Sequence, residues 1–181
     1  MSPGFTLFDT AIGLCALVWG EGGVVGFFLP EGDEARMRQR IARRFPDAGE
    51  AEPPQAIAAI IETVTAHLAG ALHDLARIPV DLSAVPLFNA RVYAVARAIP
   101  AGRTLTYGEV AARLGEPGAA QAVGRALGEN PIPVIVPCHR VLAAGGKLHG
   151  FSAPGGVETK RRLLEIEGAR SSDAPDLFDP R

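Results

Sequence analysis

The strand-like residues of this chain crowd into its first thirty positions, and the spacing turns helical after them. FTLFD (5–9), IGLCALVW (12–19) and GVVGFFL (23–29) are rich in β-branched and aromatic residues, the types that suit a half-buried pleated surface. Gly20-Glu21-Gly22-Gly23 lies between the second and third and reads as a hairpin loop. Strands grouped ahead of helices give an α/β chain of the α+β kind. The expected arrangement is a small N-terminal β-sheet domain with one or two helices, followed by a mainly helical C-terminal domain.

The helices announce themselves by spacing and caps. Asp33 can cap a helix running to about Arg44, with Met37 and Ile41 at i,i+4. Its five arginines (36, 38, 40, 43, 44) read as a solvated outer face near acidic neighbours. Ile57, Ile60, Ile61, Val64 and Leu68 mark a second helix, with Gly70 placed to end it. His67 and His73 fall at or past its end, match no metal spacing, and are expected on the surface. Residues 74–86, DLARIPVDLSAVP, hold two prolines and no helical period, so they read as an extended linker. Domains are therefore expected at 1–80 and 81–170, with a disordered tail at 171–181. Phe88, Val92, Val95 and Ile99 give the next helix, stopped at Pro100-Ala101-Gly102.

TYGEVAARLG opens with a capping box, Thr106 with Glu109. A four-residue turn, EPGA, leads to the helix AQAVGRALG. Helix, glycine-containing turn and helix is the helix-turn-helix pattern, although ordinary helical hairpins share it. The second helix presents Ala119, Ala120, Ala122, Gly124 and Ala126 around Arg125. Such small side chains serve a close approach to a ligand surface or tight packing on another helix. Charge separates the same two halves: six arginines face eleven carboxylates over 1–86, whereas ten Lys/Arg face six Glu over 87–168. A polyanion would meet the second half.

Apolar residues make up 48% and charged residues 21% of the chain, which suits a globular protein with a core. No run of about 18 apolar residues occurs, so no membrane span is expected. Nor is there a basic stretch leading into an apolar run at the N-terminus, so no signal peptide is expected. The two cysteines, Cys15 and Cys138, form no CxxC or zinc spacing and read as reduced thiols of a cytoplasmic protein. Cys15 lies inside a strand, where a small buried hydrophobe fits.

Cys138 stands differently. The strand-like run PIPVIV ends in Pro137, then Cys138, His139 and Arg140 follow, and a glycine-rich loop, LAAGGKLHGFSAPGG, comes next. A helix, VETKRRLLEIEG, closes at Gly168. A thiol becomes a strong nucleophile only when a base or a positive charge raises its thiolate fraction. His139 can do this directly or through one water, and Glu165 or Glu167 can orient the imidazole. Taken alone, the pair also fits a structural cysteine beside a chance histidine. The helical hairpin before it and the long loop after it point to a nucleophile beside a nucleic-acid surface.

NPIPVIVPCHRVLAAGGKLHGFSAPGG followed by KRRLLEIEG closely resembles the active-site segment of the O6-alkylguanine-DNA alkyltransferases, the methylated-DNA–protein-cysteine methyltransferases. IPAGRTLTYGEVAARLGEPGAAQAVGRALGENP is similar to the family's helix-turn-helix. The resemblance is dense over about 86–168 and looser over 1–85. It implies a C-terminal domain with a helix-turn-helix and a cysteine-bearing active-site strand or loop. The expected partner is double-stranded DNA carrying alkylated guanine, bound by a monomer that rotates the damaged base out of the stack. Cys138 would take the alkyl group from O6-alkylguanine, and from O4-alkylthymine, once and irreversibly. His139 would accept the thiol proton through a water and Glu167 would hold His139, with Glu165 facing solvent. Asn130 would brace the turn before the active-site strand, and Tyr107 would help rotate the nucleotide and bond the base. The resemblance also puts backbone groups of Cys138 and Val141 at the guanine edge, Phe151 in the pocket wall, Ser152 near O6, and Lys160 at the start of the last helix. Ala119, Ala120, Gln121, Ala122, Gly124 and Arg125 would face DNA. It implies no cofactor and no metal.

Three positions depart from the family pattern. Gln121 stands where an arginine usually fills the gap left by the flipped base, with Arg125 one turn further on. Phe151 stands where tyrosine is common, and Ala153-Pro154 looks like an insertion. Three rival readings stand beside the resemblance: a non-enzymatic protein that flags alkylated DNA for another pathway, a transcriptional regulator using the hairpin alone, and a Cys-His-Glu hydrolase.

Overall fold

The structure, a computed structural model, describes residues 3–148 and 154–169. Strands β1 (Gly4–Thr10), β2 (Gly13–Gly20) and β3 (Gly23–Phe28) form an antiparallel meander, and the two-residue β4 (Gly49–Glu50) adds in parallel to β1, in the order β3-β2-β1-β4. The hairpin glycine is required: Gly23 has φ +121°, and a Cβ there would meet the Pro79 carbonyl at 2.5 Å.

Alternation along β2 explains why so much of it is buried. Ala16 and Val18 point to a small cluster with Phe5, Phe28, Met37 and Ile41, the last two from helix α1 (Glu34–Arg44). Cys15, Leu17 and Trp19 point the other way, into the main core. Asp33 caps α1 by accepting from the Arg36 N–H. Helix α2 (Gln55–Leu68) places Ile57, Val64 and Leu68 against that main core.

The stretch expected to be an extended linker holds a 3₁₀ turn at Leu75–Arg77, and Val80 then bridges to Val24 of β3. The Val24 N–H donates to Pro79 and the Asp81 N–H donates to Val24. Sheet edge and linker are thereby fastened together, because an exposed edge strand takes any backbone that can satisfy it.

Helices α3 (Leu87–Arg97), α4 (Tyr107–Arg113) and α5 (Ala120–Gly128) pack on one another, and the Tyr93 hydroxyl donates to the Ala126 carbonyl at 2.7 Å. Thr106 and Glu109 close the capping box of α4 from both sides. A short parallel pair, β5 (Leu105–Thr106) with β6 (Val141–Leu142), ties the start of α4 to the segment after Cys138. Helix α6 (Gly156–Ile166) finishes the fold and Gly168 leaves it at φ +67°. The main cluster of buried side chains runs from Cys15 to Leu163 and draws on both halves of the chain.

Candidate active site around Cys138

Residues 131–137 form no strand of the kind their composition suggests. Prolines at 131, 133 and 137 remove three backbone donors. The chain folds back on itself instead, through a Pro133–Val136 bridge and a Val136 N–H to Ile132 carbonyl bond. Val134 takes φ +74°, the single non-glycine residue with positive φ among the described residues. A β-branched residue there is strained, and burial of Ile132, Val134, Ile135 and Val136 holds it. Asn130 braces the loop at both ends: its amide donates to the Val136 carbonyl at 2.8 Å, and its oxygen accepts from the Ile132 N–H at 2.9 Å. Out of this turn comes a 3₁₀ turn, Cys138–Arg140, that carries the reactive group.

Cys138 is 8% exposed and lines a cavity of about 110 Å³ together with Tyr107, Asn130, Pro133, Phe28, Arg40 and Arg44. Burial pushes its thiol up; a hydrogen bond from Asn130 and the charge of Lys160 oppose that. Lys160 is fully buried in the middle of α6, donates to the Val141 carbonyl at 2.7 Å, and lies 5.7 Å above the Tyr107 ring. Burial lowers its ammonium to about 8. Thus the guanine-edge carbonyl expected at Val141 already accepts from Lys160. Tyr107 is half-buried, and Gly124 of α5 lies under its ring, where an added Cβ would make ordinary contact at 3.9 Å.

Behind Cys138 lies a charged network. Glu167, 4% exposed, receives Arg140 as a fork, Nε to Oε2 at 2.9 Å and Nη2 to Oε1 at 2.8 Å. The same Oε1 is 2.9 Å from His139 Nε2. Arg140 also donates to the Ile99 carbonyl. Burial alone would raise the Glu167 carboxyl; hydrogen bonds from His139, His67 and Arg140 outweigh it and hold it well below the usual carboxylate range. Burial likewise lowers His139, against the pull of Glu167, so the imidazole is neutral with Nε2–H aimed at the carboxylate. Its other nitrogen, Nδ1, is buried with no hydrogen-bond partner among the described residues. That free lone pair is the basic atom. Glu165 is exposed, as expected.

His67 corrects the surface assignment. It is 1% exposed, and its Nε2 lies 3.0 Å from Glu167 Oε1. The sequence carries one signal for this: position 67 follows Val64 by three, on the apolar stripe of α2. His73 is exposed. The arginine face of α1 is also corrected in part. Arg36 and Arg38 pair with Glu31, Glu34 and Glu50 at the surface; Arg40 also pairs with Glu31, but it stacks on Phe28 and lines the Cys138 cavity with Arg44.

On α5, Gln121 and Arg125 are exposed one turn apart, and Ala119, Ala120, Ala122 and Gly124 are half-buried, while Val123, Ala126 and Leu127 pack inward. Phe151, Ser152, Ala153 and the tail 171–181 lie outside the described residues. No group of three or more His, Cys, Asp and Glu that could hold a metal occurs among the described residues.

Residues 87–169 match the family described as 6-O-methylguanine DNA methyltransferase, DNA binding domain. The chain is 44% identical over 131 residues to a methylated-DNA–protein-cysteine methyltransferase of Mycolicibacterium paratuberculosis, covering 72% of this chain and 77% of the relative. Its fold is similar to the crystal structure of Mycobacterium tuberculosis O6-methylguanine methyltransferase, with TM-score 0.72, 36% identity, and 98% and 99% of the two chains covered. It is also similar to a Mycobacterium tuberculosis OGT solved in complex with DNA, with TM-score 0.74, 36% identity, and 91% and 92% covered.

Proposed function

The chain belongs to the methylated-DNA–protein-cysteine methyltransferase family, and on that premise we propose that it repairs DNA by moving an alkyl group from O6-alkylguanine onto its own Cys138. The observation that carries this reading is the relay: a buried thiol in a cavity, a neutral histidine with one free nitrogen, and a carboxylate fixing the other.

A thiol this buried cannot reach an alkyl carbon inside a stacked duplex, so the nucleotide must rotate out to meet it. The exposed side of α5 supplies the DNA contact, and the helix-turn-helix of α4 and α5 positions it. His139 Nδ1 takes the Cys138 proton through a water. The S–C bond then forms as the C–O6 bond breaks, the electron pair leaves on the guanine, and the proton passes to the guanine. Lys160 favours the thiolate by its charge. The product is a thioether that water cannot hydrolyse, so one molecule reacts once. O4-alkylthymine presents the same kind of O-alkyl carbon and is a second substrate under this reading. The protein acts as a monomer.

The test is intact mass after mixing the protein with a duplex bearing O6-methylguanine, then mapping of the modified peptide. The expected result is one added methyl group, on Cys138, absent in Cys138→Ser. Tight lesion binding with no adduct would instead indicate a protein that flags lesions. Repeated turnover of an amide or ester would indicate a hydrolase.

Gln121 gives a second expected outcome. It is exposed on the first turn of α5 but is neutral and shorter than arginine. Arg125, one turn on, supplies only part of the missing charge. Gln121→Arg is expected to tighten duplex binding and speed transfer several-fold. Single-turnover rates and titrations at two salt concentrations check this, and unchanged values in both would refute it.

A further inference from the structure

We infer that His67, contributed by the N-terminal half of the chain, is a positioning residue of the alkyl-transfer relay: it fixes the Glu167 oxygen that in turn holds His139. The inference rests on the alkyltransferase reading above. Its geometry is specific. The His73 N–H donates to His67 Nδ1 at 3.1 Å, so that nitrogen is an acceptor and the ring proton sits on Nε2. Nε2–H therefore donates to Glu167 Oε1 at 3.0 Å. His67 accepts through Nδ1 and donates through Nε2–H, so both ring nitrogens are engaged.

Oε1 thus receives three N–H groups, from His67, His139 and the Arg140 guanidinium. A carboxylate oxygen so saturated cannot turn, and it pulls less on the His139 Nε2 proton than a less occupied oxygen would. Both effects reach the base. Orientation keeps His139 Nδ1 aimed, and the moderated pull keeps the imidazolium from forming too readily. The titratable and charged groups around this centre are His67 from α2, His139 and Arg140 from the 3₁₀ turn, and Glu167 just past α6; Cys138 adjoins His139, and Lys160 of α6 acts on Cys138.

The experiment uses the full chain as wild type, His67→Phe and His67→Gln. Phenylalanine keeps the ring volume without a donor, and glutamine restores an N–H near the Nε2 position. Three quantities are read: single-turnover transfer to Cys138 from an O6-methylguanine duplex across pH, duplex affinity, and the His139 imidazole titration by NMR. With His67→Phe, transfer at neutral pH is expected to fall about tenfold, the scale on which outer partners of a working group act. The acid limb of the profile and the His139 midpoint should move together to higher pH, with duplex affinity within about twofold. His67→Gln should recover most of the rate and the midpoint. Unchanged rate and midpoint in His67→Phe would overturn the inference. Equal loss in both variants, accompanied by lost affinity and melting temperature, would overturn it too, by showing a purely structural role. The NMR midpoint needs no transfer, so it judges His67 even if wild type forms no adduct, an outcome that would sink the alkyltransferase reading alone.

Discussion

Glu167→Gln is expected to damage folding and chemistry together. Arg140 is 5% exposed, and Glu167 is the sole carboxylate paired with its guanidinium among the described residues. Removing one partner of a buried ion pair leaves the other uncompensated, at a cost of about 3–5 kcal/mol. Glutamine also turns an NH₂ toward groups that are themselves donors, so one of its contacts becomes repulsive. The urea midpoint should fall accordingly. Transfer should fall by about two orders of magnitude, since a positioned general base contributes on that scale or more. The pH dependence has a definite sign. Glu167 is held as an anion well below its ordinary value, so its stabilisation is complete above about pH 5 and is lost as pH falls through the acid range. Wild type should weaken there, and the variant should lack that part of the slope. A Glu167→Gln protein with unchanged urea midpoint and unchanged transfer rate would refute the relay.

The contrast between Glu167 and His67 shows what a sequence read alone can deliver. Local rules reach the strands, the Asp33 cap, the capping box at Thr106 and Glu109, and the helix end at Gly168, because each depends on residues within a few positions. Only the family resemblance favours Glu167 over Glu165, and its partner His139 stands 28 residues away. His67 stands 100 residues from Glu167, and no local rule pairs an α2 histidine with the end of α6. The cavity side of α1 is hidden for a similar reason: five arginines on one helix look alike until the sheet puts Phe28 beneath Arg40. Residues 131–136 fail differently. Their β-branched residues promise a strand, while prolines in and after the run deny the ladder its donors, and the tertiary contacts select a buried turn.

That turn gives the second large effect, Asn130→Ala. The Asn130 side chain is the partner of the Ile132 N–H and a second donor to the Val136 carbonyl, which also accepts from the Cys138 N–H at 2.8 Å, and Ile132 and Val136 are both fully buried. Alanine leaves the Ile132 N–H unmade in the interior, while the Val136 carbonyl keeps the bond from the Cys138 N–H, so a loss of about 1–3 kcal/mol is expected in urea unfolding. The chemistry should suffer more than stability alone explains. Val134 holds a left-handed conformation that the brace and the surrounding packing enforce; freed of the brace, the turn relaxes and Cys138 loses its aim. Asn130 also favours the thiolate against burial, so its loss pushes the thiol further up. Transfer should therefore drop about a hundredfold, even at a temperature where the variant remains folded, and hydrogen exchange should quicken at Ile132 and Val136. Asn130→Asp separates the two bonds: the acceptor for Ile132 stays, while the donor to Val136 becomes an oxygen facing an oxygen. If the Asn130→Asp protein behaved as wild type, the Val136 bond would be dispensable and the brace would reside in the Ile132 bond alone.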